Sequence, residues 1–188
     1  MPLIKRLLKR LYLCFPAQWR FRFASSLASI YQQQQRALVD QWKTWKCTGI
    51  TPYKSIQEAG FRCYSQFEED DIILYLMTML GIHNGSVVEI CCGPGHECMA
   101  ANLIINHGFK GYLFDGDPLN AAQAKSFFAA HKDCLLYKPE IVSRWITAEN
   151  INSLLTEIGC PDEIDFLSLD IDGNDYWIWQ AIECIKPK

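Results

Sequence analysis

The chain has 188 residues, of which 49% are hydrophobic and 21% are charged. These proportions are typical of a globular domain and argue against an intrinsically disordered one. Residues 1–39 hold seven Lys or Arg and no acid, which leaves 11 basic and 21 acidic residues in the rest of the chain. An acidic body of this kind argues against a nucleic-acid-binding function.

The nine cysteines are scattered, without the paired spacing of a disulfide scaffold or of a zinc site. Reduced thiols in a cytoplasmic protein are the simplest interpretation. The longest apolar stretch, 72–82, is shorter than the roughly 20 residues that cross a bilayer. The basic start of the chain lacks the apolar core of a secretory signal. We therefore expect neither a membrane-spanning helix nor a cleaved leader.

The chain begins with an amphipathic basic pattern over residues 3–13. Its basic side chains occupy one helical face, and its apolar side chains occupy the other. The apolar positions are Ile4, Leu7, Leu8 and Leu11. Such a helix fits a peripheral contact of residues 1–15 with an anionic membrane surface, a partner-docking helix, or a terminal helix laid on its own domain.

Residues 17–46 continue the helical pattern, and Gly49, Pro52 and Gly60 follow it. Glycine and proline interrupt regular structure, so these residues mark a loop-rich boundary. We therefore expect an N-terminal helical and basic segment at 1–60 and a folded domain at 61–188.

From Tyr64 onward, helical patterns alternate with short apolar extended segments. This alternation is typical of an α/β domain with a mainly parallel sheet. The pattern predicts helices at 66–80, 97–106, 118–131, 147–158 and 177–185, and strands at 86–90, 111–114, 134–137 and 164–171. The predicted fold is therefore a Rossmann-like, mainly parallel sheet with flanking helices, preceded by an N-terminal helical segment.

One strand of this pattern ends in an acid, Glu89, and leads into a turn of small residues that contains Gly93 and Gly95. Such a turn brings backbone N–H groups close to a ligand at the carboxyl edge of a sheet. The next strand ends at Asp115, twenty residues beyond Gly95, where a carboxylate accepts the ribose hydroxyls of a nucleoside. The turn and the acid together predict a nucleoside-cofactor site.

Two residues after the turn favour one nucleoside cofactor over another. Cys98 stands where a dinucleotide fingerprint has its last glycine, and Glu97 falls in the first turn of the predicted helix. A carboxylate at that place opposes a pyrophosphate that the helix dipole attracts. S-adenosylmethionine carries no phosphate and has a positive sulfonium and ammonium, so the pattern favours this methyl donor.

These residues resemble motifs of a known family. The run Glu89-Ile-Cys-Cys-Gly-Pro-Gly resembles the first motif of class I methyltransferases, and Phe114-Asp115 resembles their acidic second motif. From Tyr64 to the end, the order of motifs is similar to that of a branch near the FkbM-type methyltransferases, whereas residues 1–60 have no such likeness. The segments that carry the resemblance are 65–70, 114–118, 145–152 and 165–175.

The resemblance implies that S-adenosylmethionine is the cofactor. It implies that Gly93 and Gly95 line the methionine portion, that Asp115 holds the ribose, and that Asp170 or Asp172 lies beside the methyl group. The candidate cofactor-binding residues are Glu89, Cys91, Gly93, Gly95, Asp115 and Asp170.

The chain departs from the family pattern in two ways. Cys91 replaces the first motif glycine. Only four strands are predicted, whereas a full class I sheet usually has seven, so we expect a domain that is incomplete at its C-terminus. Without a fifth strand, the strand at 164–171 is expected to be an exposed apolar edge.

The acidic group Asp170, Asp172 and Asp175 has two interpretations. Carboxylate oxygens suit Mg²⁺. We prefer the simpler assignment, in which one aspartate helps to bind the cofactor, one caps the turn and one caps the following helix, and no metal is bound. No catalytic base is assigned, because His96 and His107 have only proximity in favour of such a role.

The predicted function is S-adenosylmethionine-dependent methylation of a hydroxyl group on a small molecule, for which a sugar is a candidate. Two alternatives stay open. One is a non-catalytic or degenerate Rossmann-like interaction module, and the other is an NAD-dependent oxidoreductase.

Overall fold

The computed structural model of the chain describes residues 17–50, 58, 60–83, 85–135 and 137–188. The amphipathic pattern at 3–13 and the membrane contact expected for residues 1–15 lie outside these residues. The chain divides into two compact units, Met1–Gln41 and Trp42–Lys188. The boundary between the units falls inside the first described helix, α1.

The second unit contains a sheet and the helices around it. In chain order, the described elements are α1 (Ala17–Thr48), α2 (Glu69–Leu80), β1 (Ser86–Ile90), α3 (Ala101–His107), β2 (Lys110–Asp115), α4 (Pro118–Ala129), a 3₁₀ turn (Lys132–Cys134), β3 (Glu140–Ser143), α5 (Ile151–Glu157), β4 (Glu163–Ile164), β5 (Phe166–Leu169), α6 (Asp175–Ala181) and β6 (Lys186–Pro187). Within the described ranges, no helix is both long enough and apolar enough to cross a bilayer.

The main sheet has four parallel strands in the order β3-β2-β1-β5. This order corresponds to half of a doubly wound sheet, and the change of winding direction lies between β1 and β5. The registers align Val88 of β1 with Tyr112 of β2 and with Leu167 of β5. The predicted Rossmann-like fold, with flanking helices and a preceding N-terminal helix, is therefore confirmed.

The last predicted strand, 164–171, is divided at Asp165 into two short strands. β5 pairs with β1, whereas β4 pairs with β6 in a separate parallel pair. Asp165 accepts a hydrogen bond from the backbone N–H of Ser86 at 2.9 Å and forms an ion pair with Lys188 at 2.8 Å. Among the described strands, β5 lies at the edge of the main sheet, and its Leu167 and Leu169 are only partly buried.

The apolar core lies between the sheet and the helices that follow it. β1 and β2 contribute buried side chains to a cluster that α5 and α6 cover. The cluster comprises Val88, Ile90, Tyr112, Phe114, Ile151, Leu154, Leu155, Ile164, Ile178 and Ile185. Burial of side chains of this size typically contributes about 1.5–3 kcal/mol each, so this cluster fixes the sheet beneath the strand ends.

The third strand is not where the sequence predicts it. The apolar run 134–137 was expected to be a strand, but Cys134 ends the 3₁₀ turn, and Leu135 and Tyr137 are exposed. β3 begins after Pro139 and pairs Ile141 and Val142 with β2. The β-branched side chains of this segment suit a pleated, half-buried surface better than the run before the proline does.

Three helices, α2, α3 and α5, begin later than predicted. The last helix, α6, both begins and ends earlier than predicted. α2 begins at Glu69, α3 at Ala101 and α5 at Ile151. α6 starts at Asp175 and ends at Ala181, because Asn152 holds the chain beyond it in an extended form. The Asn152 side chain donates to the carbonyl of Ala181 at 2.7 Å and accepts from the N–H of Glu183 at 2.9 Å.

Candidate functional site

The predicted site residues meet at the carboxyl edge of the sheet, where β1, β2 and β5 end. Cys91 follows β1, Asp115 ends β2, and Asp170 follows β5. Desolvation, as the largest cause, and the nearby carboxylates of Asp115, Asp170, Asp172 and Asp175 together raise the pKa of the Cys91 thiol to about 11. The carboxylates that gather around this thiol favour a negative potential at this edge.

Backbone strain is concentrated at the same edge. In the described part of the chain, Cys91 (φ +67°) and Asp172 (φ +55°) are the two non-glycine residues with positive φ. The N–H groups of Cys91 and Cys92 both donate to the carbonyl of Phe114, at 2.8 and 3.0 Å. The left-handed conformation of Cys91 accompanies this double donation, and glycine adopts this conformation at lower cost than cysteine does. Strain of this kind typically accumulates at functional sites.

Asp115 ties the small-residue turn to the end of β2. One of its oxygens accepts from the N–H of Gly93 at 2.8 Å, and the other accepts from the N–H of Asp117 at 2.8 Å and the amide of Asn120 at 3.3 Å. The residue is only 5% exposed. A carboxylate has about four lone-pair sites, so one acceptor site is left, on the oxygen that contacts Gly93. Asp115 can therefore accept from at most one ribose hydroxyl without losing a protein donor.

The two motif glycines have different surroundings. Gly93 has φ +57°, and a Cβ built on it would meet no atom within 4 Å, so this side of the turn is open. Gly95 has φ +90°, and a Cβ there would lie 2.9 Å from the ring of Phe127 and 3.3 Å from the Cα of Ala124 in α4. Gly95 therefore allows the turn to pack against α4, whereas Gly93 leaves space for a ligand.

Glu89 lies beneath the turn, with its carboxylate hydrogen-bonded inside the protein. It accepts from the N–H groups of Met99 and Ala100 at 3.0 and 2.7 Å and from the thiol of Cys98 at 2.9 Å. Burial raises the pKa of Glu89, and these three donors oppose that rise. Glu89 thus holds the segment that leads into α3.

This arrangement corrects one step of the sequence argument about the cofactor. Glu97 was predicted in the first turn of a helix, but α3 begins at Ala101, so Glu97 lies in the loop before it. The carboxylate of Glu89 instead occupies the two backbone N–H groups just before the helix, so these groups are not available to an anionic ligand.

The acidic loop after β5 has one carboxylate that is hydrogen-bonded within the loop and two that are exposed to solvent. Asp175 accepts from the N–H groups of Ile171 and Gly173 at 2.7 and 3.0 Å, which lowers the pKa of Asp175. Asp170 and Asp172 are exposed. Across the residues that the structure describes, no group of three or more His, Cys, Asp or Glu side chains is arranged to hold a metal ion.

Trp145 is a candidate site residue that the sequence interpretation missed. It lies two residues beyond β3, and the N–H of its neighbour Arg144 donates to the carbonyl of Asp115 at 3.0 Å. A Cβ on Gly116 would lie only 2.9 Å from the indole ring of Trp145. The misplaced third strand concealed this position, because a strand at 134–137 puts Trp145 far from any strand end.

Comparison of the chain with protein-family models, with curated proteins and with solved structures found no match. The carboxyl edge of the sheet combines an open glycine turn, one remaining acceptor site on Asp115, two exposed carboxylates and an exposed indole ring.

Proposed function

We propose that this domain binds S-adenosylmethionine and catalyses transfer of its methyl group to a hydroxyl group of a small molecule, with a sugar as a candidate acceptor. The electronegative edge around Cys91 carries this proposal. A sulfonium and an ammonium group are attracted to such an edge, whereas a pyrophosphate is repelled. The motifs that resemble FkbM-type methyltransferases contribute to the same edge, which supports the proposal.

The small-residue turn leaves open space beside Asp115 for a ligand. Gly93 has open space on the side where a Cβ would lie, and the free acceptor site of Asp115 is on the oxygen beside it. When bound, S-adenosylmethionine supplies an electrophilic methyl group. In this proposal, Asp170 and Asp172 stabilise the positive charge of the ligand, and Asp115 accepts a hydrogen bond from one ribose hydroxyl.

The alternative of an NAD-dependent oxidoreductase is less well supported. A dinucleotide needs free backbone N–H groups for its pyrophosphate, and Glu89 already accepts from those of Met99 and Ala100. A non-catalytic module that keeps the ligand site is distinguished from an enzyme by turnover rather than by binding.

We place the activity in the cytoplasm. None of the eight cysteines in the described part of the chain forms a disulfide, which suits a reducing compartment. Residues 1–15 would add a peripheral membrane contact, since their basic and apolar pattern suits an anionic surface.

The test is titration calorimetry of the full chain with S-adenosylmethionine, S-adenosylhomocysteine and NAD. We expect binding of the first two. Asp115→Ala is a poor test variant, because it also removes the hydrogen bond that holds Gly93. The double variant Asp170→Asn with Asp172→Asn changes exposed side chains only.

Neutralising these two carboxylates should weaken binding of S-adenosylmethionine, which has a positive sulfur, more than binding of S-adenosylhomocysteine, which has a neutral sulfur. Asp162→Asn is the matched control, because Asp162 is an exposed aspartate that precedes the amino end of β4. Absence of saturable binding of S-adenosylmethionine would exclude the proposal. Binding without methyl transfer to any hydroxyl acceptor tried would identify a non-catalytic module.

A further inference from the structure

Most of Trp145 is open to solvent. It is 77% exposed, more than any other large hydrophobic residue whose burial the structure describes. An exposed indole ring is unfavourable in water unless something covers it, because aromatic side chains carry a large apolar area.

The segment around Trp145 is nevertheless well anchored. The side-chain amide of Asn150 donates to the carbonyl of Trp145 at 2.9 Å, and the carbonyl oxygen of the same amide accepts from the N–H of Thr147 at 2.8 Å. On the other side, Arg144 is bonded to the backbone of Asp115. The six-membered part of the indole lies against Gly116, the residue that follows Asp115. The backbone that carries the ring is therefore fixed beside the predicted ribose site, and the ring lies against Gly116 there.

We propose that Trp145 is the stacking platform for the purine base of the adenosyl group. This inference rests on the proposed function, since it assigns the base of the same ligand. Asp115 and Gly116 are consecutive residues, so a base attached to a ribose that hydrogen-bonds to Asp115 would lie within reach of the indole beside Gly116. Stacking on an aromatic ring needs only a flat π-face and no charged partner.

Gly116 makes this position of the indole ring possible. Any side chain at this position would collide with the ring of Trp145, since a Cβ would lie 2.9 Å from its Cε3. Glycine therefore allows the indole to lie close to the end of β2, where the base of a bound nucleoside would meet it.

The experiment measures binding of adenosine and of S-adenosylmethionine by calorimetry to the full chain, to Trp145→Ala and to Trp145→Phe. Removal of a stacked ring typically weakens binding by about fivefold to 150-fold. We expect losses in this range for both ligands in Trp145→Ala and a smaller loss in Trp145→Phe. Tyr137→Ala is the matched control, because Tyr137 is 68% exposed and precedes the other end of β3.

Failure of this inference and failure of the proposed function give different results. Unchanged affinity of Trp145→Ala for both ligands would overturn the stacking role and leave methyl-donor binding intact. Binding of adenosine but not of S-adenosylmethionine, with the loss in Trp145→Ala, would support the platform and overturn the proposed function. Wild-type protein that binds neither ligand would overturn both. Thermal unfolding of each variant separates loss of binding from loss of the fold.

Discussion

Cys91→Gly should stabilise the protein, although it removes a side chain. A non-glycine residue in the left-handed region costs about 1–2 kcal/mol, and Cys91 has φ +67°. Glycine relieves that strain but adds about 0.5–1 kcal/mol of conformational entropy to the unfolded chain. The net gain in the free energy of unfolding is therefore between about 0 and about 1.5 kcal/mol. For a chain of this size, such a gain raises the Tm by up to about 6 °C.

Urea denaturation and thermal unfolding of the two variants Cys91→Gly and Cys91→Ala provide the assay. Cys91→Ala removes the same thiol but keeps the left-handed backbone, so its Tm should stay below that of Cys91→Gly. Asp172→Gly is a second, independent case, because Asp172 has φ +55° and is exposed. If Cys91→Gly is no more stable than Cys91→Ala, the argument from backbone strain at this edge is refuted.

Three further predictions concern the glycines, the buried acid and the N-terminus. Gly95→Ala should lower the free energy of unfolding by about 2 kcal/mol or more, since the added Cβ collides with α4 and also strains a left-handed backbone. Gly93→Ala adds only the backbone strain, so it should lower the free energy of unfolding by about 1 kcal/mol and mainly weaken ligand binding. Urea titrations and calorimetry distinguish the two, and equal effects of both variants on stability would contradict the packing argument. Burial raises the pKa of Asp71 from 3.8 to about 6, so the folded state binds its proton more tightly and stability should fall as the pH rises from about 4 to about 6. Thermal melts across this range should show a smaller fall in Asp71→Asn, and an unchanged slope in that variant would count against the assignment. The full chain should sediment with anionic vesicles and a chain without residues 1–15 should not; if both stay in solution, the membrane contact is wrong.

The centre of the sheet is predictable from the sequence because its strands are continuous apolar runs between polar turns. The pattern predicts β1 with the bounds that the structure has, Ser86–Ile90, and β2 within one residue at each end. Strands buried on both faces leave this signal without help from the rest of the fold. The third strand was predicted at the wrong place because two neighbouring runs suit a strand. The longer apolar run at 134–137 is not the one that pairs with β2.

Helix ends were less predictable, because distant side chains determine several of them. Asn152 fixes the chain beyond α6 from 31 residues away in the sequence, by accepting from the N–H of Glu183. Glu89 does the same for the segment before α3, ten residues away at Met99. Neither contact leaves a trace in local periodicity or in the preferred cap residues.

The candidate site was predictable as a set of positions but not as a set of roles. Cys91, Gly93, Asp115 and Asp170 follow strand ends, and the parallel sheet brings them to one edge. How many acceptor sites Asp115 retains depends on three donors that only the folded chain brings to it. The contact of Trp145 with Gly116 likewise depends on where β3 ends.

The buried carboxylate of Glu89 also determines when the site acquires its shape. Its three donors come from the protein itself, so the backbone between β1 and α3 is ordered as the domain folds. A ligand that arrives later does not need to organise this segment, and less of its binding free energy is lost to ordering. In the proposed function, Glu89 would therefore contribute to affinity through preorganisation, from a position that the ligand does not need to touch.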